Sequence, residues 1–327
     1  SYEVEGEEEA TVGILQAFVV NEGDAWRYTL DVLARFFEES LAQESALETE
    51  LLPSGGLVAA AGGEIPLEVQ SRIGSYLESA RLLGQRTAEM HLALGSVNDD
   101  PAFRPEPFST LYQRSLYQSC RAQARQALEL LRRRRDHVAA EFLEDVDELL
   151  SRESEVDERL RRVLAHKLGG ERIRTHGDFH LGQVLFTGRD FVIIDFEGEP
   201  ARSLSDRRLK RPPLRDVAGM LRSFHYAAHN RLIDASEDRS LRATDQQLLA
   251  PWASFWWHWV SVMFLRGYFT AAGAASFLPA DPGERQILLD LHMLEKALYE
   301  IQYELNHRPG WVAVPVRGIL DLLGRGH

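Results

Sequence analysis

With 327 residues, 44% of them hydrophobic, the chain can bury a substantial core as one large domain or two ordinary ones. Thirty-seven basic against fifty acidic side chains leave a net charge of -13, which repels a phosphate backbone and sets nucleic acid aside as a partner. Cys120 is the single cysteine, so neither a disulfide framework nor a thiolate zinc site can form within one chain, which suits a reducing cytoplasm. No apolar run approaches the ~18 residues of a membrane span, and the opening residues are acidic where a signal peptide is basic and then apolar.

In chain order, "TVGILQAFVV" (11 to 20) is a continuous apolar run rich in β-branched residues, followed by the turn "NEGD", and predicts a strand leading into a loop. Helical periodicity begins at Trp26. "LLPSGGLVAAAGGEIP" (51 to 66) reads as a connector, because its paired glycines lack the spacing of a nucleotide loop. One helix is predicted from about Leu67 to Leu94. After "GSVNDDPAFRPEPF", amphipathic helices run from about Ser109 to Leu168, and the basic run Arg132 to Arg135 is their solvated face. Between 171 and 196, "ERIRTH", "QVLFTG" and "DFVIIDF" predict two or three short strands joined by "GDFHLG" and "TGRD". Beyond Pro213 the chain is helical again, through a tryptophan-rich segment (252 to 259) best read as core, to a last long helix from Pro282 to Asn306. The fold class is mainly α with a small β patch (α+β).

The stretch from 175 to 200, "THGDFHLGQVLFTGRDFVIIDFEGEP", concentrates the polar chemistry. His176, Asp178 and His180 alternate, so an extended strand would present them on one face as ligands for a transition metal, although Gly177 and Gly182 favour a loop. An acidic hairpin without function is the plainest alternative. A third spacing fits better: Asp178, then Gln183 five residues on, then Asp195 after "FVII" reproduces the kinase layout H-R-D-x-x-x-x-N followed by D-F-G. In that chemistry one aspartate takes a hydroxyl proton, while an amide oxygen and a second carboxylate hold Mg²⁺ between nucleotide phosphates.

"HGDFHLGQVLF" and "IIDFEGEP" resemble the motifs of small-molecule kinases with a protein-kinase-like fold, such as aminoglycoside and choline phosphotransferases. The form H-G-D-x-H-L-G-Q with D-F-E-G-E-P is similar to the maltokinases, including those fused to trehalose synthase. "LQAFVVNEGDAW", "RLKRPPLRDVAGMLRSFHYAA", "KALYEIQYELNHRPGW" and "VPVRGIL" extend the likeness over nearly the whole chain. The resemblance implies ATP and Mg²⁺ as cofactors, maltose as acceptor giving maltose 1-phosphate, and a fused or associated trehalose synthase as partner. It implies Asp178 as catalytic base, Gln183 and Asp195 as Mg²⁺ ligands, and His176, with His180, as braces of the loop. Asp216 resembles the buried helical aspartate that holds catalytic-loop N–H groups; an exposed first-turn carboxylate is the other reading. Lys296, Tyr299 and Tyr303 share a helix face by their spacing. Composition alone favours core packing for the tyrosines, whereas the resemblance puts all three at the maltose pocket. Lys210 and Arg211 can face an anionic group or lie on the surface.

A kinase also needs a lobe whose lysine grips the phosphates, yet no lysine precedes Lys167 and no phosphate-covering glycine loop is recognisable. Residues 1 to 20 are therefore expected to be the last strand and interlobe hinge of an N-terminal lobe, with the backbone of Gln16, Ala17, Phe18 and Val19 facing the adenine. Residues 21 to 327 are expected to form the C-terminal kinase lobe. The alternatives are a kinase for another sugar or an amino sugar such as glucosamine, and a non-catalytic sugar- or partner-binding module of kinase shape.

Overall fold

The computed structural model describes residues 16–42, 55–97, 99–237 and 243–324. Helices dominate it: α1 (Ala25–Ala42), α2 (Leu57–Gly62), α3 (Leu67–Ile73), α4 (Tyr76–Gly95), α5 (Thr110–Arg133), α6 (Leu143–Ser151), α7 (Glu153–Arg161), α8 (Leu204–Arg207), α9 (Leu214–Glu237), α10 (Ala243–Ala272), α11 (Pro282–His307) and α12 (Ala313–Leu323). The β patch is two antiparallel pairs. β1 (Glu106–Pro107) pairs with β2 (Glu171–Arg172), and β3 (Val184–Phe186) pairs with β4 (Phe191–Ile193) in the register Val184 to Ile193 and Phe186 to Phe191. The mainly α class with a small β patch is thus observed. No helix among the described residues is long and apolar enough to cross a membrane.

α10 is the central rod of the core. It is apolar all round, which fits a helix surrounded by other helices. Trp252, Phe255, Trp256, Trp259, Phe264 and Tyr268 are all buried. The tryptophans are core, as their clustering predicts. α4 lies against α10 so closely that a Cβ on Gly84 would overlap the Phe264 carbonyl, and one on Gly267 the Arg81 carbonyl. This approach sets His91 of α4 beside Tyr268 of α10, with His91 Nδ1 2.9 Å from the phenol oxygen.

α9 and α11 pack side by side, pinned by a buried ion pair in which Arg222 Nε and Nη2 donate to Glu300 Oε2 at 2.9 and 2.7 Å. Tyr226 donates to Glu304 at 3.1 Å in the same seam. The β3–β4 hairpin is clamped to α4 by Arg86, whose Nε and Nη2 reach the two oxygens of Asp190 at 2.8 and 3.0 Å. Tyr28 of α1 stacks on Phe186 with ring centroids 4.0 Å apart.

Several expectations change. Of the predicted strand at 11 to 20, residues 16–20 have no regular structure, and 11–15 lie outside the described residues. The chain joins the sheet later: Glu22 N–H donates to Phe186 O at 2.8 Å and Phe186 N–H to Gly23 O at 2.9 Å. The connector at 51–66 contains α2, whose first turn docks on Gln286 of α11 through the Val58 N–H at 2.9 Å. The helix predicted over 67–94 breaks at Gly74, whose φ of 68° ends α3 before α4 begins. The basic run behaves as predicted, with Arg132 on Glu153 and Arg135 on Asp147 in exposed pairs.

Candidate functional site

The loop from His176 to Gln183 crosses the N-terminal end of α9 and is held there through its main chain. Asp216, in the first turn of α9, is buried; it accepts from the His176 N–H at 2.7 Å and the Gly177 N–H at 3.1 Å. His91 Nε2 stands 3.2 Å from the same carboxylate, completing a chain from Tyr268 to the loop. Burial acts to raise the Asp216 pKa, but His91, His176 and the Gly177 N–H together hold it below the usual carboxylate value. Of the two readings for Asp216, the buried one is therefore observed. Gly219, one turn on, lets the loop approach, since a Cβ there would sit 2.7 Å from the Phe179 carbonyl.

His176 is enclosed by its own loop. Its Nε2 is 2.8 Å from the Ile194 carbonyl, so Nε2 carries the proton, and Nδ1 accepts from the Asp178 N–H at 3.4 Å. His180 Nδ1 accepts from the Gly182 N–H at 3.1 Å. Burial lowers its pKa, only partly opposed by Asp178, so the ring is neutral near pH 7. With these nitrogens engaged, the alternation His176, Asp178, His180 does not make the metal face that an extended strand would. Among the described residues no group of three His, Cys, Asp or Glu side chains could hold a metal ion.

Gln183 and Asp195 come side by side because the Ile194 N–H donates to the Gln183 carbonyl at 3.0 Å across the hairpin. Asp195, two residues past the end of β4, has φ 63°, the one non-glycine residue at positive φ among the described residues. Such a conformation costs roughly 1 kcal/mol or more and turns the side chain away from the strand path. Among the described residues neither side chain has a hydrogen-bond partner, leaving an amide oxygen and an exposed carboxylate, a donor set that suits Mg²⁺.

Asp178 forms the border between this loop and a solvent-open cleft. Its Oδ1 is 3.9 Å from Lys296 Nζ and its Oδ2 3.8 Å from His180 Nε2. Lys296 lies over the Tyr299 ring at 5.2 Å, and both line the cleft. Burial, then Glu199 and Asp178, push the Tyr299 phenol up to about 12, so it remains a hydroxyl donor. Tyr303 is on the same helix face but does not line the cleft; it is 43% exposed and stacks on His307 at 4.5 Å.

The cleft also contains residues that sequence reasoning missed. Glu199 and Arg202 follow the Asp195 loop; Gln123 reaches in from α5, Arg215 from α9, and His292 and Glu295 from α11. "EGEP" was a signal for Glu199; the others had none beyond helical spacing. Glu295 is held well below the usual carboxylate range: burial acts to raise it, but Arg215 at 3.6 Å and His292 Nδ1 at 2.8 Å prevail. Lys210 is buried and donates to Glu106 at 2.8 Å and the Pro101 carbonyl at 2.7 Å, while Arg211 pairs with Asp206 at 2.7 Å. Neither cation faces the cleft. Gln16, Ala17, Phe18 and Val19 lead into the sheet; Phe18 is 86% exposed, and the Val19 carbonyl accepts from the Asn21 amide at 2.8 Å.

Comparison with known proteins places this geometry. A glucosamine kinase of Streptacidiphilus jiangxiensis is 28% identical over 156 residues, 46% of this chain and 32% of that protein. One from Mycolicibacterium smegmatis (strain ATCC 700084 / mc(2)155) is 30% identical over 183 residues, 55% of this chain and 41% of that protein. The chain thus spans less than half the length of these relatives. Among solved structures, a glucosamine kinase in complex with glucosamine, ADP and inorganic phosphate superposes with a TM-score of 0.64 at 21% identity, covering 92% of this chain and 61% of that one. Another crystal form superposes at 0.66, covering 93% and 57%. Residues 46–252, more than half of the chain, match the sequence profile of the phosphotransferase enzyme family, and the chain belongs to that family.

Proposed function

We propose that this chain carries the phosphoryl-transfer loop and the acceptor cleft of an ATP- and Mg²⁺-dependent sugar kinase. The observation that carries this reading is the position of Asp178: one carboxylate belongs both to a loop anchored by Asp216 and to a cleft lined by hydrogen-bonding side chains. Asp178 takes the proton of the attacking sugar hydroxyl as that oxygen bonds to the γ-phosphorus and the bond to ADP breaks. Gln183 and Asp195 hold Mg²⁺; the nucleotide with its metal supplies the phosphoryl group and the charge neutralisation. The backbone of residues 16–19 serves as the hinge that faces the adenine, between this lobe and a further one. Lys296 and Tyr299 orient the sugar, with Tyr303 at the rim.

An amino sugar is the acceptor best supported. The relatives are named as glucosamine kinases, and Glu199, a cleft carboxylate without a hydrogen-bond partner among the described residues, complements an ammonium group. Maltose, with maltose 1-phosphate as product and trehalose synthase as partner, rests on the likeness of "DFEGEP" and "KALYEIQYE" to maltokinase motifs. ADP release by the full-length protein with glucosamine, glucose and maltose separates them. Turnover at least tenfold faster with glucosamine is expected. Faster turnover with maltose reverses the choice of acceptor, and turnover with no sugar ends the kinase reading.

A further inference from the structure

His292 is 1% exposed and lines the acceptor cleft from α11. Its two nitrogens are in different situations. Nδ1 lies 2.8 Å from Glu295 Oε2, and an ionised carboxylate can only accept, so Nδ1 carries the proton. In the neutral ring Nε2 then presents a bare lone pair. That Nε2 is buried and has no hydrogen-bond partner among the described residues. Its surroundings are otherwise tied together: Arg215 faces Glu295 at 3.6 Å, and the Gln123 amide donates to the Glu295 carbonyl at 2.7 Å.

A buried acceptor without a donor is unfavourable, and native chains rarely keep one without use. Here the orphan atom belongs to a residue of the cleft whose border carries Asp178 and Lys296. A water can occupy such a position in the resting protein, and a ligand that brings a donor replaces it without loss. A polyhydroxylated acceptor has several donors to bring.

We infer that His292 Nε2 is a recognition atom of the acceptor site, accepting a hydrogen bond from a hydroxyl or ammonium group of the sugar other than the hydroxyl that is phosphorylated. The inference rests on the sugar-kinase reading and adds a specificity-determining contact to it. His292 thereby divides its work: Nδ1 fixes the ring on Glu295, and Nε2 reads the sugar.

His292→Asn separates these two tasks, because the asparagine amide can still donate near the Nδ1 position while nothing replaces Nε2. Calorimetric titration of glucosamine, glucose and maltose into the chain and its H292N variant is the test. The sugar that binds wild type should bind H292N about tenfold more weakly, the loss of one hydrogen bond to a buried group, with the unfolding midpoint unchanged. An equal loss for glucosamine and glucose assigns the donor as a hydroxyl; a loss confined to glucosamine assigns it as the ammonium. The ¹⁵N shift of Nε2 in the wild-type chain, which should move on saturation with sugar, reports the same contact without any substitution. Unchanged affinity in H292N together with an unmoved Nε2 resonance overturns the inference and leaves the kinase reading standing, whereas failure of wild type to bind any sugar overturns both.

Discussion

The His176–Gln183 loop and the α11 wall of the cleft meet at Asp178, yet they are held by different means. The loop is fastened through backbone N–H groups of His176 and Gly177 to a single buried carboxylate, Asp216. The wall is a face of α11, fixed by side chains: apolar packing and the Arg222–Glu300 pair. Main-chain donors cannot be mutated away, so the His176–Gly177 end of the loop depends on an acceptor that nothing apolar can replace, while Ser223 Oγ takes the Leu181 N–H at 3.1 Å farther along. Side-chain partners can be exchanged together, so the wall can be rebuilt. Placement of Asp178, the proposed base, therefore depends chiefly on Asp216, whereas the cleft wall can vary without loss of the fold.

The largest stability effect should come from Asp216→Ala, which strands two loop N–H groups and His91; a loss of roughly 3 kcal/mol or more is expected in urea unfolding. Arg222→Met should cost about the same, because it leaves Glu300 buried without its partner. The comparison is sharpened by the double variant R222M/E300M, which should recover to within about 1 kcal/mol of wild type. No second substitution should rescue D216A. Recovery of D216A by an apolar partner, or no recovery in the double variant, would remove the distinction.

Acid acts more gently, and on the α10 core before the loop. His258, in α10, has a folded pKa lowered to about 4, with burial as the main cause, against about 6.5 in the unfolded chain. A depressed histidine pKa means that the unfolded state binds the proton first. Stability is complete above about pH 6.5, declines as pH falls toward 4, and changes no further from this source below that. The full loss should be roughly 3 kcal/mol, of which about 2 kcal/mol is reached by pH 5. His258→Leu should flatten that slope. Asp216, with its pKa held down, stays charged across this window, so the loop anchor weakens only at lower pH. Urea midpoints at pH 7.5 and 5 for wild type and H258L measure the difference.

The smallest expected effect is at Tyr303. Exposed and outside the cleft lining, it should lose under ~0.5 kcal/mol of stability on change to Ala. The KM for the sugar should stay within about threefold, less than one hydrogen bond is worth. A tenfold rise would bring Tyr303 into the recognition wall as a direct contact.

What the sequence revealed follows the same division. Long amphipathic or wholly apolar segments such as α5, α10 and α11 are legible because their periodicity records their burial, and the order Asp178, Gln183, Asp195 is legible because it lies within eighteen residues. α2 was missed: six residues between glycines carry too little pattern, and the helix is tied down by Gln286, far along the chain. β1 is two residues, too short for any period, whereas β2 falls within the predicted strand "ERIRTH". Asp216 could be read as buried or exposed because its neighbour His91 is 125 positions away. Lys210 looks like a phosphate ligand until Glu106, 104 positions upstream, is seen to hold it. Local order encodes the loop; the cleft is assembled from residues that only the fold brings together.

The central claim is that Asp178 takes the sugar proton during phosphoryl transfer, and ³¹P NMR of the full-length protein with Mg·ATP and glucosamine tests it most directly. A sugar phosphomonoester resonance should grow as the γ-phosphate signal of ATP declines, and Asp178→Asn, with an unchanged circular dichroism spectrum, should form that product at least a hundredfold more slowly. Product formation at a near wild-type rate by D178N would contradict the account.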